Sequence, residues 1–189
     1  LPDFNERSDV PTLTSVPVAL RPFSMAGAAI VSNPQRTRYD TPRKPSKWIL
    51  DVDGTLLLRL PGGRGPFDWD RVHEDVPNAP VIHVVRALAL AGDSFVVVSG
   101  RLDVCRDATI AALHRHVFLQ SSTAWNSGDL FMRDKAREFM PDHELKRELL
   151  HHELVPRYDI VGAIDDRHKV VEMWRQEGIF CMQVADGNF

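Results

Sequence analysis

The chain has 189 residues, with 23 lysines and arginines against 26 aspartates and glutamates, a formal charge of −3. That length suits one core-bearing domain plus an appendage, and 43% hydrophobic with 26% charged residues is ordinary globular usage that excludes a chain disordered throughout. The near-neutral balance excludes nucleic-acid binding through a generally basic surface, so any such affinity needs a local basic site.

Seven of the 13 prolines (Pro2, Pro11, Pro17, Pro22, Pro34, Pro42 and Pro45) fall in the first 46 residues, where they block helices and central strands. Residues 1–46 are therefore expected to be an extended arm or linker, with a domain over 47–189. The end of the arm, Arg36 to Lys47, carries Arg36, Arg38, Arg43, Lys44 and Lys47 against Asp40 alone; a solvated linker and a phosphate-touching arm both fit it. No secretory signal is visible in Leu1 to Glu6, and no apolar run approaches the roughly 18 residues of a membrane span, so no membrane association is expected. Cys105 and Cys181 belong to no CxxC pair, which points to a reducing compartment, the cytoplasm.

From Trp48 the texture changes to short β-rich runs separated by helical patterns. Trp48–Val52 reads as a buried strand, Pro80–Ala91 as a helix stopped by Gly92, and Phe95–Ser99 as a second buried strand. Asp103–His116 and His143–Leu154 read as helices, Ile160–Ile164 as a strand, Arg167–Glu177 as a helix ended by Gly178, and Ile179–Val184 as a last strand. Near-continuous apolar strands alternating with helices predict an α/β fold, a Rossmann-like, mostly parallel sheet with helices on both faces. Such sheets bind ligands at the carboxyl ends of their strands.

Three polar clusters follow the predicted strands directly: Asp51-Val52-Asp53-Gly54-Thr55, Ser99-Gly100-Arg101, and Asp165-Asp166-Arg167. Four carboxylates converging on one sheet rim could not all stay ionised without compensation, and a hard divalent cation supplies it. Oxygen ligands suit Mg²⁺, which normally shares its shell with a substrate phosphate. A calcium EF-hand loop starting at Asp51 would need Glu at its twelfth position, which is Gly62. A carboxylate beside a cation, with Ser, Arg and Lys nearby, has the parts for phosphoryl transfer to Asp. Asp51, at the strand end, is the expected nucleophile, and Asp53, two residues into the loop, the general acid/base. Rival chemistries fail on single residues: a Cys-x5-Arg loop from Cys105 meets Ala111, and an Arg-His-Gly motif at Arg115-His116 meets Val117.

DVDGT, VVVSGR, Asp142-His143-Glu144-Leu145-Lys146 and AIDDR, in that order, resemble the four motifs of the haloacid dehalogenase-like phosphatases. Within that superfamily, Trp48 to Phe189 is most similar to the 3′-phosphatase domains of phage polynucleotide kinases. Gly63-Arg64-Gly65-Pro66-Phe67-Asp68 and the tail from Ile164 through Val170-Val171-Glu172-Met173-Trp174-Arg175 to Phe189 carry that closer likeness. The resemblance implies the haloacid dehalogenase-like fold with a small cap or none. It implies Asp51 as nucleophile, Asp53 as acid/base, and Lys146 as the cation that pairs with Asp51 and neutralises the phosphoryl group. Ser99, with Gly100 and Thr55, would face the phosphoryl group, and Arg64, Arg101 and Asp142 would serve substrate binding, Asp142 by positioning Lys146 one helical turn away. Asp51, Asp53 (through its main-chain carbonyl), Asp165 and Asp166 would hold Mg²⁺. The implied activity is removal of a terminal 3′-phosphate from DNA or RNA through an aspartyl-phosphate; the alternative is a phosphatase of the same superfamily acting on a small metabolite.

The stretch Leu56–Gly62 is longer than the pattern and Leu102–Asp134 departs from it. Leu1 to Ser46 holds no GxxxxGK[ST] string, so 5′-kinase activity is not expected of this chain. Trp48 and Trp174 are expected in the core, and Trp125 is the tryptophan to test for base stacking. Arg133, Lys135 and Arg137 fit either a nucleic-acid backbone or a solvated surface. The oligomeric state is left open.

Overall fold

A computed structural model describes residues 43–118 and 123–187; the predicted arm, apart from its last residues, lies outside them. In chain order the elements are β1 (Ser46–Leu50), β2 (Leu57–Leu58), β3 (Val76–Pro77), α1 (Ala79–Leu90), β4 (Phe95–Leu102), α2 (Arg106–His116), β5 (Leu130–Arg133), α3 (Asp142–Leu149), β6 (Asp159–Arg167), α4 (His168–Gln176) and β7 (Cys181–Gly187). Five strands form one sheet in the order β5-β4-β1-β6-β7, every neighbouring pair parallel.

Period-two alternation along the central strands divides the core into two layers. Trp48, Leu50, Phe95 and Val97 point to one face, packing with Val81, Ile82 and Val85 of α1 and Leu113 of α2. Ile49, Val96, Val98 and Ala163 point to the other, against Leu145 and Leu149 of α3 and Val170, Val171, Met173 and Trp174 of α4. Both faces are thereby covered, as the unbroken apolar runs predict. Trp48 and Trp174 are buried as expected.

The chain leaves β1 toward β4 and β5 on one side, then crosses to β6 and β7 on the other. β1 is therefore the point where strand order reverses, and the crevice at its carboxyl end is where such a sheet takes its ligand. Between β1 and α1 the described residues form only the β2–β3 antiparallel pair and two turns of 3₁₀ helix, Trp69–Glu74. This small flap leaves the rim open.

Several boundaries differ from expectation: β6 runs on through Asp165-Asp166-Arg167, β7 is shifted to Cys181–Gly187, and four others have local reasons. β1 ends at Leu50, because the next residues turn: the amides of Leu56 and Leu57 both donate back to the Val52 carbonyl. β4 runs on through Ser99-Gly100-Arg101 to Leu102 beside β5. The helix over 103–116 begins as a 3₁₀ turn, Asp103–Cys105, and the helix over 143–154 widens to a π turn at Leu150–Leu154. β5, only four residues long, had no periodic signature of its own.

Candidate active site

Asp51 is the first residue past β1, and Asp165 and Asp166 lie near the end of the adjacent β6, so the parallel register brings them to one rim. Their side chains place one oxygen each within 4.8 Å of one another, and all three residues are buried. Lys146 reaches this cluster from α3. Its Nζ donates to Asp51 Oδ1 at 2.6 Å and to Asp165 Oδ2 at 2.9 Å, and lies 3.5 Å from Asp142 on the preceding turn. Burial works against the Lys146 charge, yet Asp142, Asp165 and Asp51 together hold its pKa well above the ordinary lysine value. Asp51 is pushed well up by burial; Lys146 opposes this, while Asp165, Asp166 and Asp142 add to it. Burial and Asp165 raise Asp166 as well.

Three carboxylates against one ammonium leave an excess of two negative charges, the charge of a single divalent cation. The donors are all oxygen, and burial with like-charge crowding works against the ionised forms of Asp51 and Asp166. These residues fit a hard divalent cation.

The surrounding shell fixes the three acids. Trp174 Nε1 donates to Asp165 Oδ2 at 3.2 Å, and the Arg167 amide donates to Asp165 Oδ1. The Thr55 hydroxyl, expected on the substrate, donates instead to Asp166 Oδ1 at 3.2 Å from a fully buried side chain. Gly54, at φ +85°, passes so close that a Cβ there would stand 2.2 Å from Asp166 Oδ2; both the backbone and the space require glycine.

Asp53 lies outside the acid cluster. Its carboxylate is gripped by two arginines: Arg101 Nε donates to Oδ2 at 2.7 Å and Nη2 to Oδ1 at 2.9 Å, and Arg64 Nη2 donates to Oδ1 at 2.7 Å. Behind them sits Asp75, which accepts from Arg64 Nε and Nη2 and from Arg101 Nη2 at 2.6–2.8 Å. Burial disfavours the Asp53 charge, but the hydrogen bonds and charges of Arg101 and Arg64 outweigh it and hold the carboxyl below the ordinary range. The two arginines, expected on substrate phosphate, thus spend their guanidinium groups on Asp53 and Asp75. Nothing in the string Asp68 to Asp75 sets Asp75 apart from its acidic neighbours; only the long-range fold brings it under both arginines.

Ser99 is fully buried, and its hydroxyl accepts from the Arg101 amide at 3.2 Å. It is absent from the cleft wall, where Gly100 stands instead. A Cβ on Gly100 would fall 2.3 Å from Asp142 Oδ1, so β4 and the start of α3 approach closely with one carboxylate between them. Asp142 is the first residue of α3, after the N-cap Pro141; it contacts Lys146 at 3.5 Å, Arg133 at 3.3 Å and Arg167 at 3.7 Å. The expected neighbourhood of Asp142 and Lys146, one helical turn apart, is present as a 3.5 Å separation.

The cluster opens into a cleft of about 1240 Å³, walled by the β2–β3 flap loop and the loop after β5. Trp125 takes no part: it is buried, stacked on Phe118 with centroids 5.1 Å apart, which removes it as a base-stacking candidate. Of the three middle cations, Arg133 is buried in backbone carbonyls, Arg137 pairs with Asp134, and Lys135 is exposed on the cleft.

A parallel sheet with Asp-x-Asp leaving its central strand, an acid pair on the neighbouring strand and a helix-borne lysine between them defines a haloacid dehalogenase-like phosphatase. The chain belongs to the family of phosphatase domains of polynucleotide kinases: the family model "Polynucleotide kinase PNKP phosphatase domain" matches residues 45–189. It is 32% identical over 133 residues to a protein of Autographa californica nuclear polyhedrosis virus named "Putative bifunctional polynucleotide kinase/RNA ligase", covering 69% of this chain and 18% of that one. Two solved structures, of the Pnkp1/Rnl/Hen1 RNA repair complex and of a Pnkp1/Rnl/Hen1 complex, contain chains 31% and 33% identical to it. They superpose with TM-scores of 0.64 and 0.63 over 77% of this chain and cover 44% and 47% of theirs. The chain therefore spans less than half the length of each of these relatives. It is a phosphomonoesterase, and among the described residues no helix is long and apolar enough to cross a membrane.

Proposed function

We propose that the protein is a Mg²⁺-dependent polynucleotide 3′-phosphatase that removes the terminal 3′-phosphate of DNA or RNA in end repair. The observation that carries this reading is the Asp51 carboxylate, held 2.6 Å from Lys146 beside Asp165 and Asp166 and facing the cleft. Asp51 attacks phosphorus, the bond from phosphorus to the 3′ oxygen breaks, and Asp53 delivers the proton that the leaving hydroxyl needs. Asp53 then takes a proton from water, which attacks the acyl phosphate, releasing inorganic phosphate and restoring Asp51. Asp51, Asp165, Asp166 and the Asp53 carbonyl would hold Mg²⁺, which when bound neutralises charge on the phosphoryl oxygens.

Lys146 neutralises the transferring group from the protein side. Arg64 and Arg101 keep Asp53 ionised between turnovers, the state needed to accept a proton from water; for the first step Asp53 must take up a proton, which a singly protonated terminal phosphate supplies on binding. Ser99 supports Arg101 in the resting geometry. The cleft exceeds the roughly 300–1000 Å³ of ordinary small-molecule pockets, which favours a polymer end over a small metabolite. The relatives named for polynucleotide kinase and RNA repair favour the same substrate class. Both cysteines are buried free thiols, which suits a reducing compartment such as the cytoplasm.

The test is phosphate release from one oligonucleotide carrying a 3′-phosphate, from the same strand carrying a 5′-phosphate, and from a small aryl phosphate, each with and without Mg²⁺. Release from the 3′-phosphate that needs Mg²⁺ and vanishes in Asp51→Asn is expected. Equal rates on all three substrates would point to the small-metabolite alternative.

A further inference from the structure

Trp174 is fully buried, and its indole lies in the apolar layer between the sheet and the helices α3 and α4, with Leu145, Leu149 and Met173. Packing accounts for the ring but not for where its one polar atom goes. Nε1 donates at 3.2 Å to Asp165 Oδ2, the oxygen that also accepts from Lys146 Nζ at 2.9 Å. A second buried tryptophan gives the comparison: Trp48 Nε1 has no hydrogen-bond partner among the described residues. Burial of an indole in this core does not by itself bring its N–H to an acceptor.

The order of the chain explains how the indole reaches the acid. β6 carries Asp165 to the rim, and α4 begins at His168, directly after the strand ends. Trp174 lies roughly two turns along α4, and long side chains on a helix lean back toward its N-terminus, here toward the rim. Asp165 is thereby held on both oxygens, Oδ2 by Lys146 from α3 and Trp174 from α4, and Oδ1 by the Arg167 amide at 3.2 Å. The Lys146 ammonium rides on a flexible stem and is shared with Asp51 and Asp142. The indole has two side-chain torsions, both locked by close packing, and serves Asp165 alone.

We propose that Trp174 is a positioning residue for the divalent cation: its N–H fixes the Asp165 carboxylate in the orientation that completes the acid cluster, so that Mg²⁺ affinity depends on one hydrogen bond from the core. This rests on the Mg²⁺ reading above. Donors behind a metal ligand set its geometry, and losing one costs about 10–100-fold in metal affinity.

The experiment titrates Mg²⁺ into the substrate-free protein in a calorimeter and, separately, follows phosphate release as Mg²⁺ is varied. Trp174→Phe removes the N–H together with part of the ring. Trp174→benzothienylalanine keeps the shape of tryptophan and puts sulfur where the N–H stands, so it removes the hydrogen bond without disturbing the packing. Trp48→Phe is the control for a buried indole that donates to no described group. Both position-174 variants should bind Mg²⁺ about 10–100-fold more weakly and need correspondingly more of it for half-maximal rate, while kcat at saturating Mg²⁺ returns toward wild type. Trp48→Phe should lose stability and keep wild-type Mg²⁺ affinity. Wild-type affinity in the benzothienylalanine protein, or an equal loss of affinity in Trp48→Phe, would overturn the role of Trp174 alone. Tighter binding in that protein would overturn it too, since the N–H would then compete with the ion for the carboxylate. If wild type neither binds Mg²⁺ nor needs it for turnover, the Mg²⁺ reading falls and this proposal falls with it.

Discussion

Asp75→Asn is the sharpest probe of the clamp around Asp53. In the native protein Arg64 and Arg101 face Asp53 and Asp75, two positive charges against two negative ones, and the side chains of Arg64, Arg101 and Asp75 are each no more than 1% exposed. Asparagine keeps the shape but leaves two buried guanidinium groups sharing the one carboxylate of Asp53. Removing one member of a buried pair costs about 3–5 kcal/mol. The retained amide oxygen still accepts one bond, which puts the expected loss near ~3 kcal/mol. At about 3 °C per kcal/mol for a domain of this size, the melting temperature should fall by roughly 10 °C. The catalytic effect is separate: Asp53, now the only anion between two cations, is drawn off its aim, and turnover should drop on the order of 10²-fold when assayed well below the melting temperature. Differential scanning calorimetry and phosphate release measure the two effects. The decisive control is Arg64→Met combined with Asp75→Asn, which restores one cation to one anion. If the four groups act as a unit, the double variant is more stable than the sum of the single losses predicts. Strict additivity, or an Asp75→Asn protein with unchanged melting temperature and turnover, would refute the clamp.

Lys146→Met leaves the three clustered carboxylates with no protein cation, so turnover should vanish and stability should fall by about 3–5 kcal/mol without divalent ions; activity within tenfold of wild type in a phosphate-release assay would contradict its role. Gly100→Ala drives a Cβ onto Asp142 Oδ1 and should cost about 1–3 kcal/mol in urea unfolding together with a loss of kcat, since Asp142 must leave Lys146. Asp53 is held below its unfolded pKa of about 3.9, so its contribution to stability is complete above about pH 4 and is lost as the pH falls through the folded value. The gap in melting temperature between wild type and Asp53→Asn should therefore shrink below pH 4, and a gap constant from pH 7 to pH 3 would show that the arginines do not hold the carboxylate.

The architecture was legible because its signals are local. The apolar runs at 48–50, 95–98 and 160–164 each end in a polar cluster, and parallel register then delivers Asp51, Asp165 and Asp166 to one rim with no further information. Lys146 was legible only through the family resemblance; its spacing from Asp142 is one helical turn, which the fold converts into contact. The roles of Arg64, Arg101 and Thr55 were not, because a cation or hydroxyl near a phosphate site reads the same in sequence whether it faces the ligand or a neighbouring side chain. The deciding partner, Asp75, comes from a flap whose strands are two residues each, too short to show periodicity. Arg133 was obscure for the same reason: its carbonyl partners on the loop after β5 exist only once that loop has folded back.

Two carboxylates two residues apart leave the same strand end, yet their surroundings push them in opposite directions. Asp51 enters a pocket with too little positive charge, so burial and like-charged neighbours lift its pKa until a cation arrives. Asp53 enters a pocket where two arginines outweigh burial and depress it. The chain turns just after Asp53 at Gly54, whose positive φ lets it pass close against Asp166, while the Asp53 side chain lies with Arg64 and Arg101. A site so divided assigns its work by environment: under the proposed function the carboxyl crowded by like charges is the one that bonds to phosphorus, and the one held ionised by two arginines accepts the proton from water. Exchanging the two environments, not the two residues, would be required to exchange their roles.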